Sequence, residues 1–185
     1  GIENCVVLGY SMGGRLALGF ALTHPETVSA LILESSSAGL ATPEEREARI
    51  RGDEALATRI LTDGIEHFVN EWEQLPLWDS QSATLKTRLR MHRLKNNPLG
   101  LANSLRGMGT GAQPYFGDRL TELTMPVLLI TGEHDIKFTR IADEMAHSIP
   151  HATIQTLRGA GHAVHLEAPD DYIGVIQAFL RELGL

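Results

Sequence analysis

Apolar and polar residues follow two different rhythms along this chain. Four short apolar runs predict strands, and two of them are apolar almost without interruption, as parallel strands buried on both faces should be. Those four runs are Asn4–Leu8, Val28–Glu34, Pro126–Gly132 and Ala152–Leu157. Helical periodicity follows over Met12–Thr23, Ile141–Ser148 and Asp170–Leu183. Strands that alternate with helices predict a mostly parallel sheet and an α/β fold.

One long segment departs from this alternation. Between about residues 41 and 111 the sequence shows helical periodicity and no strand pattern, with candidate helices at about 43–60, 64–75, 80–95 and 98–108. Thr42-Pro43-Glu44-Glu45 predicts a capped helix start with proline in the first turn. The sequence therefore predicts a helical cap or lid over residues 41–111, inserted into a core formed by residues 1–40 and 112–185.

Composition and charge exclude several classes of protein. The 185 residues are 43% hydrophobic and 21% charged, which indicates a soluble globular domain. A net charge of −7 argues against nucleic acid and anionic membranes as partners. No apolar stretch reaches the roughly 20 residues of a membrane span, and no signal peptide is visible, so we expect a cytoplasmic protein. The single cysteine, Cys5, excludes an internal disulfide and a cysteine-based metal site.

A serine stands between the first predicted strand and the first predicted helix. The sequence there is Gly9-Tyr10-Ser11-Met12-Gly13, a Gly-x-Ser-x-Gly pattern that forms the nucleophile elbow of α/β-hydrolases. The glycines permit a tight turn that exposes the Ser11 hydroxyl above the sheet edge. The amide of Met12, at the start of the helix, can donate a hydrogen bond to a developing oxyanion.

An activated serine needs a base and an orienting acid, which in this fold follow it in the order Asp, then His. Asp135 lies on the loop after a buried strand, and His162 follows the last strand in Gly159-Ala160-Gly161-His162. Glu133, His134 and His165 are nearby rivals, but only Asp135 and His162 have the usual placement. We expect Asp135 to orient His162, and His162 to deprotonate Ser11.

Several blocks of sequence resemble one family more narrowly. They are Gly9–Arg15, Glu34–Leu40, Trp72 with Leu75–Leu77, Ser104–Gly111, Gly132–Phe138 and Gly161–Glu167. Together they resemble the 2-succinyl-6-hydroxy-2,4-cyclohexadiene-1-carboxylate synthases, lyases of menaquinone biosynthesis with the α/β-hydrolase fold. This resemblance implies an elimination of pyruvate from 2-succinyl-5-enolpyruvyl-6-hydroxy-3-cyclohexene-1-carboxylate, with Ser11 as the base. It also implies several strands before residue 1, so we expect an N-terminally truncated chain that folds poorly or has little activity by itself.

The substrate that this resemblance implies carries three carboxylates, so the site should hold fixed cations. Matching to the family pattern assigns Arg15, Arg49 and Arg93 as carboxylate binders, with Tyr10 and Trp72 lining the pocket. Arg46 and Arg51 compete with Arg49 for its role, and Arg15 has the alternative of a surface helix position. Arg106 has the alternative of a purely structural role in the lid.

The same three catalytic residues also suit other functions. A serine hydrolase of esters, thioesters or carbon–carbon bonds would use Ser11 as a nucleophile and form an acyl-enzyme. A catalytically silent binding scaffold is a second alternative, although such proteins usually lose a member of the triad. No phosphate loop, dinucleotide fingerprint or metal-ligand pattern is visible, so the sequence predicts neither a cofactor nor a metal.

Overall fold

The computed structural model describes residues 4–185, so residues 1–3 of the predicted core lie outside the described range. A four-stranded parallel sheet with the order β1-β2-β3-β4 confirms the α/β prediction. Its strands are β1 (Cys5–Tyr10), β2 (Val28–Glu34), β3 (Val127–Gly132) and β4 (Ala152–Leu157). The first strand continues two residues beyond the predicted end, which brings Tyr10 into register with Glu34.

The two central strands form the centre of the core. Every residue of β3 is buried, as are all but one of the residues of β2, which explains their continuous apolar runs. On one face of the sheet, Ile32 and Ile130 pack in a cluster that includes Val164 and Phe179 from the C-terminal helices. This apolar layer places the carboxyl ends of the strands, and the loops that follow them, on a rigid frame.

Helices connect and flank the strands. They are α1 (Met12–Thr23), α5 (Ile136–Ala146), α6 (Val164–Glu167) and α7 (Pro169–Glu182). Three further helices, which lie between α1 and α5 in the sequence, belong to a separate unit described below. Helix α5 begins five residues earlier than predicted, because the Asp135 side chain caps it by accepting a hydrogen bond from the Phe138 amide at 3.3 Å. The short helix α6 has no counterpart in the sequence prediction. Over residues 4–185, no helix is long and apolar enough to cross a membrane.

The chain divides into two compact units. One consists of the residues up to Ala38 together with Phe116–Leu185, and the other is Gly39–Tyr115. We call them the sheet unit and the helical unit. The helical unit contains α2 (Pro43–Trp72), α3 (Ala83–Arg93) and α4 (Pro98–Met108).

Helix α2 joins the first two helices that the sequence predicts. It starts at the expected cap, where Thr42 accepts from the Glu45 amide at 3.1 Å and Glu45 accepts from the Thr42 amide at 3.0 Å. Gly64 interrupts it with φ 86° and ψ 172°, a conformation that favours glycine. The predicted break is therefore present as a kink rather than as a loop.

Candidate active site

The serine elbow is a tight junction between β1 and α1. Ser11 has φ 49° and ψ −110°, and its amide donates to the carbonyl of Glu34 at 2.8 Å. A Cβ atom on Gly9 would collide with the backbone of Gly13 and Gly14, and one on Gly14 would lie 2.6 Å from the Ser36 side chain. Close approach of the backbone, rather than turn conformation alone, therefore requires these glycines.

Three side chains distant in sequence meet above this elbow. The Nε2 atom of His162 lies 3.1 Å from Ser11 Oγ, and its Nδ1 atom lies 2.6 Å from Asp135 Oδ2. Asp135 is 5% exposed and His162 is 3% exposed. Because an ionised carboxylate only accepts hydrogen bonds, Nδ1 carries the proton and neutral Nε2 faces the serine hydroxyl. The arrangement is that of a base prepared to take a proton from Ser11.

The acid loop and the histidine loop are joined through their backbones. A Cβ atom on Gly132 would collide with the carbonyls of Ala160 and Gly161, so only glycine permits this approach. The amide of His134 donates to the Ala160 carbonyl at 2.9 Å. These contacts fix the separation between the ends of β3 and β4.

The rivals for the acid and base have other partners. Glu133 accepts from the Gly159 amide at 2.9 Å, so its carboxylate supports the histidine loop. His165 contacts the buried carboxylate of Glu34 through Nδ1, at 2.8 Å from Oε1. The structure thus brings Asp135 and His162 to Ser11, whereas Glu133 and His165 are paired with other residues.

Aromatic rings hold the imidazole of His162 in place. The Tyr10 ring centre lies 5.4 Å from that of His162, and the Phe138 ring centre lies 4.7 Å from it. Sequence reasoning singled out Tyr10 as a pocket residue and did not assign a role to Phe138. The signal for Phe138 was available, because it stands three residues after the Asp135 cap and so lies on the first turn of α5.

A second carboxylate, that of Glu167, stabilises the histidine loop through backbone amides on either side of His162. Glu167 accepts from the amides of Gly161 at 2.9 Å and Ala163 at 3.1 Å, one on each side of His162. Sequence reasoning quoted Glu167 as part of a family block without giving it a role. The backbone on both sides of the base is thereby fixed by one side chain.

Two further predicted site residues belong to α1. Met12 is the first residue of the helix and directly follows Ser11. Arg15 lies one turn further on, and its amide donates to the Ser11 carbonyl at 3.1 Å. Both predicted residues are therefore close to the elbow in the fold, as the motif requires.

The predicted substrate-binding residues of the helical unit form two local clusters. Arg93 donates to Glu73 at 3.2 Å and lies over the Trp78 ring, with its guanidinium carbon 5.3 Å from the ring centre. Arg90 donates to the same carboxylate at 2.7 Å. Trp72 joins this cluster, with its ring centre 5.6 Å from that of Trp78.

Arg49 and its two competitors have different environments. Arg49 donates through Nε to Asp53 Oδ1 at 2.8 Å, and Asp53 Oδ2 is buried with no hydrogen-bond partner among residues 4–185. Arg46 is occupied by the carbonyls of Leu40 and Ala41, at 2.9 and 3.0 Å. Arg51 is largely exposed, with a 3.7 Å contact to an exposed glutamate.

Arg106 forms a two-pronged ion pair with Glu54. Its Nε and Nη2 atoms donate to the two carboxylate oxygens at 2.8 and 2.6 Å, which joins α4 to α2. Hydrogen bonding from Arg106 lowers the pKa of Glu54. This geometry supports the structural role that the sequence left open for Arg106.

Fold and site together define the class of protein. A serine on a strand-to-helix elbow of a parallel sheet, with an aspartate and a histidine from later loops, is characteristic of α/β-hydrolase-fold enzymes. The model of the alpha/beta hydrolase fold family matches residues 1–169.

Individual relatives narrow this class. The chain is 49% identical to a protein of Bacillus subtilis (strain 168) named for 2-succinyl-6-hydroxy-2,4-cyclohexadiene-1-carboxylate synthase, over 98% of this chain and 68% of the relative. It is 38% identical to MenH from S. aureus with a TM-score of 0.95, covering 98% of this chain and 70% of that one. A thermophilic esterase from Thermogutta terrifontis matches less closely, at 26% identity and a TM-score of 0.83 over 98% of this chain and 66% of the esterase. The chain belongs to the 2-succinyl-6-hydroxy-2,4-cyclohexadiene-1-carboxylate synthase family.

Proposed function

We propose that the protein eliminates pyruvate from 2-succinyl-5-enolpyruvyl-6-hydroxy-3-cyclohexene-1-carboxylate and releases 2-succinyl-6-hydroxy-2,4-cyclohexadiene-1-carboxylate. The observation that carries this proposal is the triad of Ser11, His162 and Asp135 in a chain that is 49% identical to a relative named for this synthase. An elimination of this kind needs a strong, positioned base and a site for a negatively charged oxygen.

The reaction begins with transfer of a carbon-bound proton. Ser11 Oγ takes the proton from the ring carbon beside the succinyl ketone, while its own proton passes to His162 Nε2. The imidazolium that forms lies 2.6 Å from the carboxylate of Asp135, which stabilises the positive charge. The electron pair from the C–H bond moves onto the ketone oxygen, where the Met12 amide would donate to the enolate.

Collapse of the enolate expels the leaving group. Its electron pair forms a new ring double bond, the existing ring double bond shifts by one position, and the carbon–oxygen bond to the enolpyruvyl group breaks. The leaving group departs as the enolate of pyruvate, and the proton held by His162 passes to it, which gives pyruvate. No external electron transfer takes place, so these steps require no redox cofactor.

Cations of the helical unit are suited to a substrate with three carboxylates. In the cluster around Glu73, Arg90 and Arg93 share its single carboxylate, which leaves one positive charge in excess. The ring of Trp78 beneath Arg93 fixes the guanidinium plane. We assign Arg93 to a substrate carboxylate, with Arg15 and Arg49 for the others and with Tyr10 and Trp72 lining the pocket. The family resemblance also supports a cytoplasmic location, which cell fractionation would test.

A comparison of single variants tests the reaction and the recognition together. Pyruvate release would be measured with the full natural protein, using a coupled assay, for the unmodified enzyme and for Ser11→Ala and Arg93→Ala. Loss of the base should reduce kcat by about 10⁴-fold or more. Loss of Arg93 should raise KM by roughly tenfold or more, as expected for a charged hydrogen bond to substrate.

Arg90→Ala provides the matched control for this experiment. It removes the other guanidinium from Glu73, together with its 2.7 Å hydrogen bond to Asn70, and leaves Arg93 paired with the carboxylate and over the Trp78 ring. Its KM should stay within about threefold of the unmodified value, because Arg90 has no assigned contact with substrate. Equal increases in KM for both variants would contradict the role of Arg93.

A serine hydrolase is the second candidate function. The same triad geometry would let Ser11 attack a carbonyl, and the fold similarity to the Thermogutta terrifontis esterase favours this alternative over a binding scaffold. A hydrolase should give a burst of nitrophenol from nitrophenyl esters, followed by slower turnover. Such a burst, lost in Ser11→Ala and accompanied by no pyruvate release, would replace the lyase with a hydrolase.

A further inference from the structure

A second carboxylate–histidine pair lies beside the triad. Glu34, the last residue of β2, is fully buried, and both of its carboxylate oxygens lie within hydrogen-bond distance of His165 Nδ1, at 2.8 and 2.9 Å. The same carboxylate accepts from the backbone amide of His165 at 3.2 Å. Because the carboxylate can only accept, these contacts fix both the tautomer and the ring orientation of His165.

The His165 ring is connected to the triad through one aromatic ring. The rings of Tyr10 and His165 pack edge to face, with centres 4.8 Å apart and planes at 67°. Tyr10 also packs against His162. The main chain provides a second connection, since the Glu34 carbonyl accepts from the Ser11 amide. Glu34 therefore contacts His165 through its side chain and the Ser11 elbow through its backbone.

A buried glutamate is a costly residue for simple packing. An apolar side chain would fill the end of β2 without the desolvation penalty of a carboxylate. Burial, and then the nearby Glu34 carboxylate, raise the pKa of the neighbouring Tyr172 hydroxyl. The site keeps a carboxyl group here although the surrounding core does not require one for filling.

We propose that Glu34 and His165 are positioning residues for the catalytic base. The pair holds the His165 ring, the ring supports Tyr10, and Tyr10 together with Phe138 confines the imidazole of His162 between Ser11 and Asp135. A base needs to stay within a few tenths of an ångström of its working position, and aromatic contacts on two sides provide that restraint. This inference rests on the triad roles proposed above and is independent of the identity of the substrate.

His165→Asn tests the restraint with little disturbance of the buried charge. The side-chain amide of asparagine can occupy the place of Nδ1 and donate to Glu34, whereas the ring that supports Tyr10 is lost. We expect kcat for pyruvate release to fall by about tenfold while KM changes by less than about threefold. His147→Asn is the matched control, since His147 is an exposed histidine whose Nδ1 also makes a local contact, with the Asp143 carbonyl at 2.6 Å.

Solvent exchange of the His162 Hδ1 proton provides a readout without substrate. In the unmodified protein this proton lies in the buried 2.6 Å contact with Asp135, so its downfield NMR signal should exchange slowly. We expect His165→Asn to accelerate exchange by about tenfold at an unchanged melting temperature. An exchange rate and a kcat that both equal those of the control would overturn the inference.

A double variant separates positioning from general support of the fold. If the pair acts through Tyr10, His165→Asn should have less than about a twofold further effect on exchange once Tyr10→Leu has removed the connecting ring. Tyr10→Leu alone should accelerate exchange as much as His165→Asn does, which keeps the test decisive if His165→Asn fails to fold. Independent, multiplicative effects would overturn the proposed route. If the exchange rates of the variants follow these expectations but the unmodified protein releases no pyruvate, the proposed substrate is wrong and the positioning role stands.

Discussion

The two units of this chain are stabilised by different kinds of interaction. In the sheet unit, fully buried strand residues such as Leu31 and Ile130 form an apolar core. In the helical unit, the 30-residue helix α2 buries few side chains and is tied by ion pairs, among them Arg49 with Asp53 and Arg106 with Glu54. The catalytic triad thus belongs to the apolar unit, and most of the predicted carboxylate binders belong to the ionic one.

This difference has consequences for how each unit responds to change. Apolar burial is not weakened by salt screening or by moderate changes of pH, whereas exposed ion pairs are screened by salt and lost on titration. Substitutions in the triad should therefore alter catalysis with little change in stability. Substitutions among the ion pairs should alter the stability of the helical unit first.

Asp135→Asn should produce the largest effect, on catalysis alone. Asparagine is as good a helix cap as aspartate, so α5 keeps its N-terminus, but the charge that stabilises the His162 imidazolium is removed. We expect kcat to fall by about 10⁴-fold with a melting temperature within a few degrees of the original. Asp135→Ala should lose the same activity and also destabilise the fold by about 1 kcal/mol. A large loss of stability in Asp135→Asn would break the comparison, because removal of the charge alone would then disturb the fold as well as catalysis.

Arg49→Ala should have an intermediate effect, on stability. It leaves the buried Asp53 carboxylate without the donor to Oδ1, and Oδ2 already has no partner within the described part of the chain. We expect a decrease of about 1–3 kcal/mol in the free energy of unfolding measured with urea. Arg51→Ala, at an exposed and loosely paired arginine, should change that free energy by less than about 0.5 kcal/mol. Equal effects of the two substitutions would show that the buried contact with Asp53 has no special weight.

Glu54→Gln should have the smallest effect, visible as a change in pH dependence. Hydrogen bonding from Arg106 lowers the folded-state pKa of Glu54 below its usual value of 4.5. The contribution of the pair to stability is therefore present above about pH 4.5 and is lost as the pH falls through the lowered pKa. Melting curves should show the variant slightly less stable near pH 7, with the difference closing in acid. Glu47→Gln is the control, because Glu47 is exposed and makes only a 3.7 Å contact with Arg51. A difference that widened in acid would contradict the prediction.

Local patterns in the sequence predicted the sheet and the elbow well. Continuous apolar runs identify β2 and β3 because both of their faces are buried, and the glycine-rich motif around Ser11 identifies a turn that tolerates no Cβ at Gly9 or Gly14. The start of α5 was misplaced, since Ile136 is 75% exposed and interrupts the apolar periodicity there. Capping by Asp135, a catalytic residue, sets that boundary instead.

Contacts between distant segments were outside the reach of those patterns. The pairing of Glu34 with His165 joins residues 131 positions apart, and no spacing rule connects a strand end with a four-residue helix. The same holds for the choice among Arg46, Arg49 and Arg51, which depends on what each guanidinium meets after folding. Chemistry that depends on one short motif is readable from sequence, and chemistry that depends on packing is not.

The backbone contact between Gly132 and the histidine loop suggests how such enzymes are best recombined. Because the Ala160 and Gly161 carbonyls fill the place of a side chain on Gly132, the loops that carry the acid and the base of the triad are packed together as one rigid segment. A stretch from β3 to the histidine loop should therefore be transferable between related enzymes as a single cassette. Exchange of either loop alone would bring a new surface against an unmatched one.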